Sequence, residues 1–133
     1  MVHEIGSDCF IVGFPLSHPT TRETVVWKRA TIATEYELDF NSAACFLVDA
    51  TTSKGMSGSP VFLRQTGQVR YATGETRMWI GGPETEFVGV YSGRYLSKDG
   101  SELSLGYVWK RHLIDEMIDT PTLGSYNLAS NEP

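Results

Sequence analysis

The apolar positions of this chain fall into short runs separated by glycine, proline and polar residues, a spacing that suits strands far better than helices. Six runs stand out: "DCFIVGF" (8–14), "ETVVWKRATIA" (23–33), "ACFLVDA" (44–50), "PVFLR" (60–64), "EFVGVYSGRYL" (86–96) and "LSLGYVWK" (103–110). They favour β-branched and aromatic residues and are bounded by turn formers, the pattern of strands that bury one face. Between the fourth and fifth runs, "QVRYAT" and "TRMWI" flank Gly74-Glu75 and predict a further hairpin, and Asp99-Gly100 predicts a turn before the last strand. Short strands at this spacing predict an all-β, antiparallel barrel or sandwich.

One stretch changes period. From Trp109 through "KRHLIDEMID", Leu113, Ile114, Met117 and Ile118 recur at helical intervals until Pro121 ends the pattern, so a short C-terminal helix is expected to close a domain over residues 1–120. Residues 121–133 are small, polar and aperiodic, which predicts a loosely held, flexible tail. With 133 residues and no internal repeat, one core is expected.

Composition excludes more than it selects. Hydrophobic residues make up 41% and charged residues 20% of the chain, ordinary for a globular domain. The net charge is -5, and the 11 basic residues are scattered from Arg22 to Arg111 without a stripe, which argues against a nucleic-acid partner. No apolar run approaches the roughly 20 residues that span a bilayer, and "MVHEIGSDCF" has no signal-peptide pattern, so neither a membrane nor an export address is expected. Cys9 and Cys45 sit in apolar segments and read as buried thiols, or as one disulfide if their strands are adjacent. No Cys/His spacing suits zinc, and nothing calls for a metal or an organic cofactor.

The chemistry concentrates in "SKGMSGSPVF" (53–62). A glycine two residues before Ser57 and another directly after it allow a sharp turn that brings the N–H groups of Gly55 and Ser57 toward whatever the hydroxyl attacks, which is how an oxyanion hole is built from main chain. Pro60 then opens the next strand where a missing donor is tolerated. Seen alone, the loop also reads as a Gly/Ser turn between strands. The nucleophile elbow of α/β-hydrolases does not fit, because Ser59 stands where a glycine is required and no βα alternation surrounds it.

Gly55-Met56-Ser57-Gly58-Ser59-Pro60 resembles the G-x-S-G-[GS]-P loop of the chymotrypsin-like (trypsin-like) serine peptidases. "CFIVGFP" (9–15) is similar to the first strand of that family's second barrel, "FLVDATTSKGMSGSP" (46–60) to its pocket loop, "FVGVYSG" (87–93) to its substrate-pairing strand and "LGYVWKRHLIDEMI" (105–118) to its last strand and helix. The resemblance implies a six-stranded antiparallel Greek-key barrel with a short C-terminal helix. It implies Ser57 as nucleophile, the N–H groups of Gly55 and Ser57 as oxyanion hole, Thr51 as the uncharged floor of the specificity pocket, and Tyr91, Ser92 and Gly93 as pocket wall and substrate-pairing backbone. A peptide or protein substrate follows, cleaved after a small or apolar side chain.

Three features depart from the family. Met56 stands where animal digestive enzymes carry the aspartate that pairs with a freed N-terminus, so that route of activation is absent. Asp49 at a strand end reads as ordering a loop rather than as a catalytic acid, and Lys54 precedes the serine, the reverse of a Ser-x-x-Lys dyad. His3, His18 and His112 read as surface imidazoles, whereas the family's histidine and aspartate lie upstream, the histidine about a hundred residues or more before the serine. Only 56 residues precede Ser57. The expectation is half a two-barrel enzyme, weak or inactive alone, whose base comes from an N-terminal barrel or a partner chain and whose exposed apolar face invites oligomerisation. The alternative is a peptide-binding or scaffold module that keeps the barrel without a triad. The excursion from Gln65 to Thr85 reads as hairpin packing rather than an exosite.

Overall fold

Alternation along β1 (Asp8–Gly13) sends Cys9 and Ile11 inward and Phe10 outward, and the same period of two recurs in β2 (Val26–Ile32) and β4 (Pro60–Arg70). The computed structural model describes residues 1–15, 24–52, 54–97, 99–100 and 102–122. With β3 (Cys45–Asp49), β5 (Thr76–Leu96), β6 (Glu102–Lys110) and α1 (Arg111–Asp119), they make an all-β, antiparallel molecule with one short helix. Each strand pairs with two others, and the pairings close on themselves in the order β1-β2-β3-β6-β5-β4. The inward side chains form one core that includes Ile11, Ile32, Phe46, Val48, Val61, Leu63, Val88, Tyr91 and Val108.

The six expected strands are present, with two differences. The hairpin arms around Gly74 are not a separate element; they continue β4 and β5 past an irregularity in register between Gln65 and Gly67. Its turn is closed by Gly74 N–H on the Tyr71 carbonyl, and Trp79 Nε1 donates to Tyr71 Oη at 2.9 Å beneath the Arg77 guanidinium. The excursion is therefore a hairpin, but a largely exposed one, with Met78 and Ile80 of its second arm facing outward. The helix begins at Arg111, because Trp109 and Lys110 remain in β6, with Trp109 opposite Cys45 and Val90. Of its apolar residues, Leu113 and Ile114 are half-buried while Met117 and Ile118 are exposed, so the helix covers the sheet over one turn only. The tail from 123 onward and His18 lie outside the described residues.

β3 is buried on both faces, and the segment 33–44 explains its outer one. Ala33 N–H bonds the Leu47 carbonyl, Thr34 Oγ1 accepts from Leu47 N–H, and the Cys45 thiol points at the Phe40 carbonyl, 3.9 Å away, while Tyr36 packs on the inward-facing Phe46 with ring centroids 5.0 Å apart. Lys110, almost fully buried, donates from Nζ to the Leu38 carbonyl at 3.0 Å and to Asp39 Oδ1 at 2.7 Å. An ammonium in that position would be costly if unpaired; here it ties the segment to the end of β6.

Both cysteines are buried free thiols on β1 and β3, which are separated by β2. Burial, reinforced by the Asp8 charge, pushes the Cys9 thiol from its ordinary 9.0 up to about 12. Because the thiolate is the reactive form, Cys9 is expected to resist iodoacetamide in the folded protein at pH 8 and to be alkylated once denaturant is added; rapid native alkylation mapped to Cys9 would contradict this. The folded thiol keeps its proton where the unfolded one loses it, so this contribution to stability is full below pH 9 and falls away as pH rises toward about 12.

Candidate functional site

The loop between β3 and β4 alternates between anchors and exposed groups. Met56 and Ser59 are buried, while Lys54, Gly55, Ser57 and Gly58 are exposed. The thioether of Met56 reaches into the core near Gly13, so this residue is a hydrophobic peg for the loop. Gly55 adopts φ 92°, in the left-handed region where a side chain would be strained, and this turns the chain between the peg and Lys54. Ser59 N–H bonds the Met56 carbonyl at 3.1 Å and Gly58 N–H bonds the Tyr91 carbonyl at 2.7 Å. The N–H groups of Gly55 and Ser57 have no backbone acceptor among the described residues.

β5 supplies the other side. Its pairing with β4 stops at Pro60↔Val90, and Tyr91 then bonds the serine loop, with its N–H on the Ser59 carbonyl at 2.9 Å and its carbonyl on Gly58 N–H. Pairing with β6 continues to Leu96↔Glu102, with a register shift between Tyr91 and Gly93 that leaves Ser92 as an extra residue. From Ser92 onward, β5 is therefore paired on one side only among the described residues. Gly93 lies on that stretch with φ 142°, and a Cβ built on it would stand 3.8 Å from Ser57 Oγ. An exposed hydroxyl, two N–H groups and a strand edge thus lie within one short span.

The expected site residues divide on this basis. Ser57 and Gly93 come together, with Gly55 on the same loop as Ser57 and Ser92 next to Gly93 on β5. Thr51 is exposed and borders a cleft of about 40 Å³ with Ala50, Thr52, Arg94, Leu103 and Ser104. Tyr91 takes a different part from the one its resemblance implies: both of its backbone polar groups hold the loop, and its ring points into the core. Arg94 also borders this cleft, on the same face of β5 as Tyr91 because Ser92 is an extra residue between them. Asp49 is exposed, opposite Thr31 and Leu105, and makes no side-chain hydrogen bond among the described residues, so the loop-ordering part expected of it is not seen.

No family model matches this chain, and no curated protein does.

No histidine is hydrogen-bonded to Ser57 among the described residues. His3 is held by Glu86 Oε1 at 3.3 Å and by the Tyr36 ring at 4.1 Å, and His112 is exposed on α1. Outside the ring of strands, Phe10, Phe62 and Phe87 stand opposite one another on β1, β4 and β5, with Trp27 of β2 stacked 5.9 Å from Phe62 and the Arg64 guanidinium over the Trp27 ring. Phe14, also exposed, follows Gly13, which packs against Ser59. The aromatic stripe thus runs up to the serine loop.

Proposed function

We propose that this chain is the nucleophile-bearing half of a trypsin-like serine endopeptidase, the second, Greek-key barrel of a two-barrel enzyme. One observation carries the reading: Ser57 Oγ is exposed beside Gly93 on the open edge of β5, on a loop whose Gly55 and Ser57 N–H groups have no backbone acceptor among the described residues. The ring order supports the finer fold, since β1, β2 and β3 follow as antiparallel neighbours and β4 returns beside β1, the path of a Greek key.

An extended peptide adds to the β5 edge by main-chain hydrogen bonds, which lays its scissile carbonyl beside Ser57. Ser57 Oγ attacks the carbonyl carbon as its proton passes to a histidine base, and the Gly55 and Ser57 N–H groups stabilise the oxyanion. The intermediate collapses by breaking the C–N bond, the amine leaves with that proton, and water releases the acyl group by the same route. The histidine and its aspartate come from an N-terminal barrel of the same protein or from a partner chain, seated on the aromatic stripe of Trp27, Phe10, Phe62 and Phe87.

A second reading, a peptide-binding module without catalysis, draws on the observation that no histidine meets Ser57 among the described residues. A fluorophosphonate probe applied to the natural full-length protein decides between them. Covalent phosphonylation at Ser57, mapped by mass spectrometry and abolished in Ser57→Ala, is the expected result. A full-length protein that stays unlabelled, yet binds extended peptides along Ser92–Gly93, is the binding module instead.

A further inference from the structure

The segment 33–44 does more than cover β3; it also forms a groove with the N-terminal segment. Ile5 and Leu38 are large apolar side chains left 54% and 67% exposed, and with Ala33, Phe40, Glu35 and Asp39 they line a concavity of about 420 Å³. Its wall is held in place by bonds of its own. Lys110 Nζ donates to the Leu38 carbonyl and to Asp39 Oδ1, while Phe40 N–H donates to the Cys45 carbonyl and the Phe40 carbonyl accepts from Ala43 N–H. The charge is one-sided: two carboxylates line the groove, and among the described residues no basic side chain does. Lys110, itself buried, answers Asp39. That leaves Glu35, which is exposed and has no ion pair or hydrogen bond among the described residues, as the unanswered charge. An apolar groove with one open carboxylate complements a side chain with a long apolar stem and a cationic head.

Phe40 ties this groove to the open edge of β5. Its ring lies 5.8 Å from that of Tyr95 and 6.2 Å from that of Tyr107, and Tyr107 is the β6 partner of Gly93. In an antiparallel addition to β5, the residues that precede the scissile bond run from Gly93 toward Tyr95 and Leu96, and so toward Phe40. Gly93 to Tyr95 is about 7 Å of strand and the ring contact adds about 6 Å, so an extended peptide reaches the groove about five residues before the scissile bond.

We infer that this groove receives a lysine or arginine side chain from the same peptide that the β5 edge holds, about five residues before the scissile bond. The inference rests on the peptide-holding edge proposed above and deepens it. Glu35 supplies the charge, Ile5 and Leu38 supply the surface for the stem, and Asp39 stays with Lys110. Because the groove stands ready before the peptide arrives, little ordering is lost when it fills.

The test needs no catalysis. Acetylated heptapeptides that end in alanine with a free carboxylate, and carry lysine, norleucine or glutamate at the fifth residue from that end, are titrated into the ¹⁵N-labelled protein. The amides of Ser57, Ser92 and Gly93 report the edge, and those of Leu38 and Asn41 report the groove. The lysine peptide is expected to bind about fivefold more tightly than the glutamate peptide, with norleucine between them, and to shift both sets of amides. Glu35→Gln, an exchange at an exposed side chain that holds nothing else, should cut that advantage to less than about twofold. Leu38→Ala should weaken the lysine and norleucine peptides alike. Equal affinities for the lysine and glutamate peptides, an advantage that survives Glu35→Gln, or one gained without shifts at Leu38 and Asn41 overturns the inference while leaving the edge standing. If no peptide moves the Ser57, Ser92 and Gly93 amides, the edge falls and the inference with it, whether or not the groove responds.

Discussion

Gly106→Ala is expected to destabilise the protein by about 3 kcal/mol, near the upper end of the usual cost of overpacking. The methyl group would meet Tyr91 Cε2 at 2.4 Å, Oη at 3.0 Å and Cζ at 3.1 Å, which is the side of a ring rather than the tip of a flexible chain. The ring cannot swing away cheaply, since it is buried and its hydroxyl is bonded to Thr52. Nor can the backbone yield freely, since Gly106 is paired with Val48 on β3 and with Arg94 on β5. Denaturant titration measures the effect as a lower midpoint with an unchanged slope. Combining the substitution with Tyr91→Val should return part of the loss, and that coupling separates a collision with this ring from a generic cost of alanine in the strand. A neutral Gly106→Ala would mean that the ring does not occupy the place assigned to it.

Phe46→Ala is expected to cost about 4 kcal/mol, in the usual range for deleting a fully buried aromatic side chain. Phe46, near the start of β3, is 0% exposed, and its ring carries Tyr36, which in turn bonds the Val88 carbonyl and packs against the His3 ring. The loss should therefore exceed the cavity alone, because Tyr36 is one of the ties between the 33–44 segment and the core. Burial holds the Tyr36 hydroxyl above its ordinary pKa, helped by the charges of Glu86 and Glu37. In the variant that pKa should drop back, a change visible in the tyrosine ring signals on alkaline titration. A loss below about 2 kcal/mol would indicate that the site collapses readily around the gap.

The strands were legible because alternation is a local property. Cys9, Ile11, Val61 and Leu63 announce their face within their own runs, and the runs match β1, β2, β3 and β6 to within a few residues, whereas β4 extends on to Arg70 and β5 already begins at Thr76. The hairpin arms were harder to join to β4 and β5, since Gly67 and the Gly81-Gly82 pair interrupt the pattern where the strands only change register. The helix start was misplaced for a different reason: Trp109 satisfies both the strand period behind it and the helical period ahead, and pairing with Cys45 and Val90 decides for the strand.

At the site, the glycine spacing around Ser57 announced a constrained loop, whereas the bonds that secure the loop join Gly58 and Ser59 to Tyr91, more than thirty residues away. No local pattern carries that information. The direction of the Tyr91 ring was equally hidden, because "VGVYSG" contains one residue more than its partner strand and the sequence does not say which residue is the surplus.

That surplus residue, Ser92, has a consequence for how the site tolerates change. Since faces alternate every residue, removing it would invert everything from Gly93 to Leu96 relative to Ser57, whereas exchanging its exposed side chain disturbs nothing behind it. The position is defined by count and not by chemistry. Such a site can drift in composition almost without limit while its spacing stays frozen, so a distant relative would share the length of this segment long after its letters had ceased to agree.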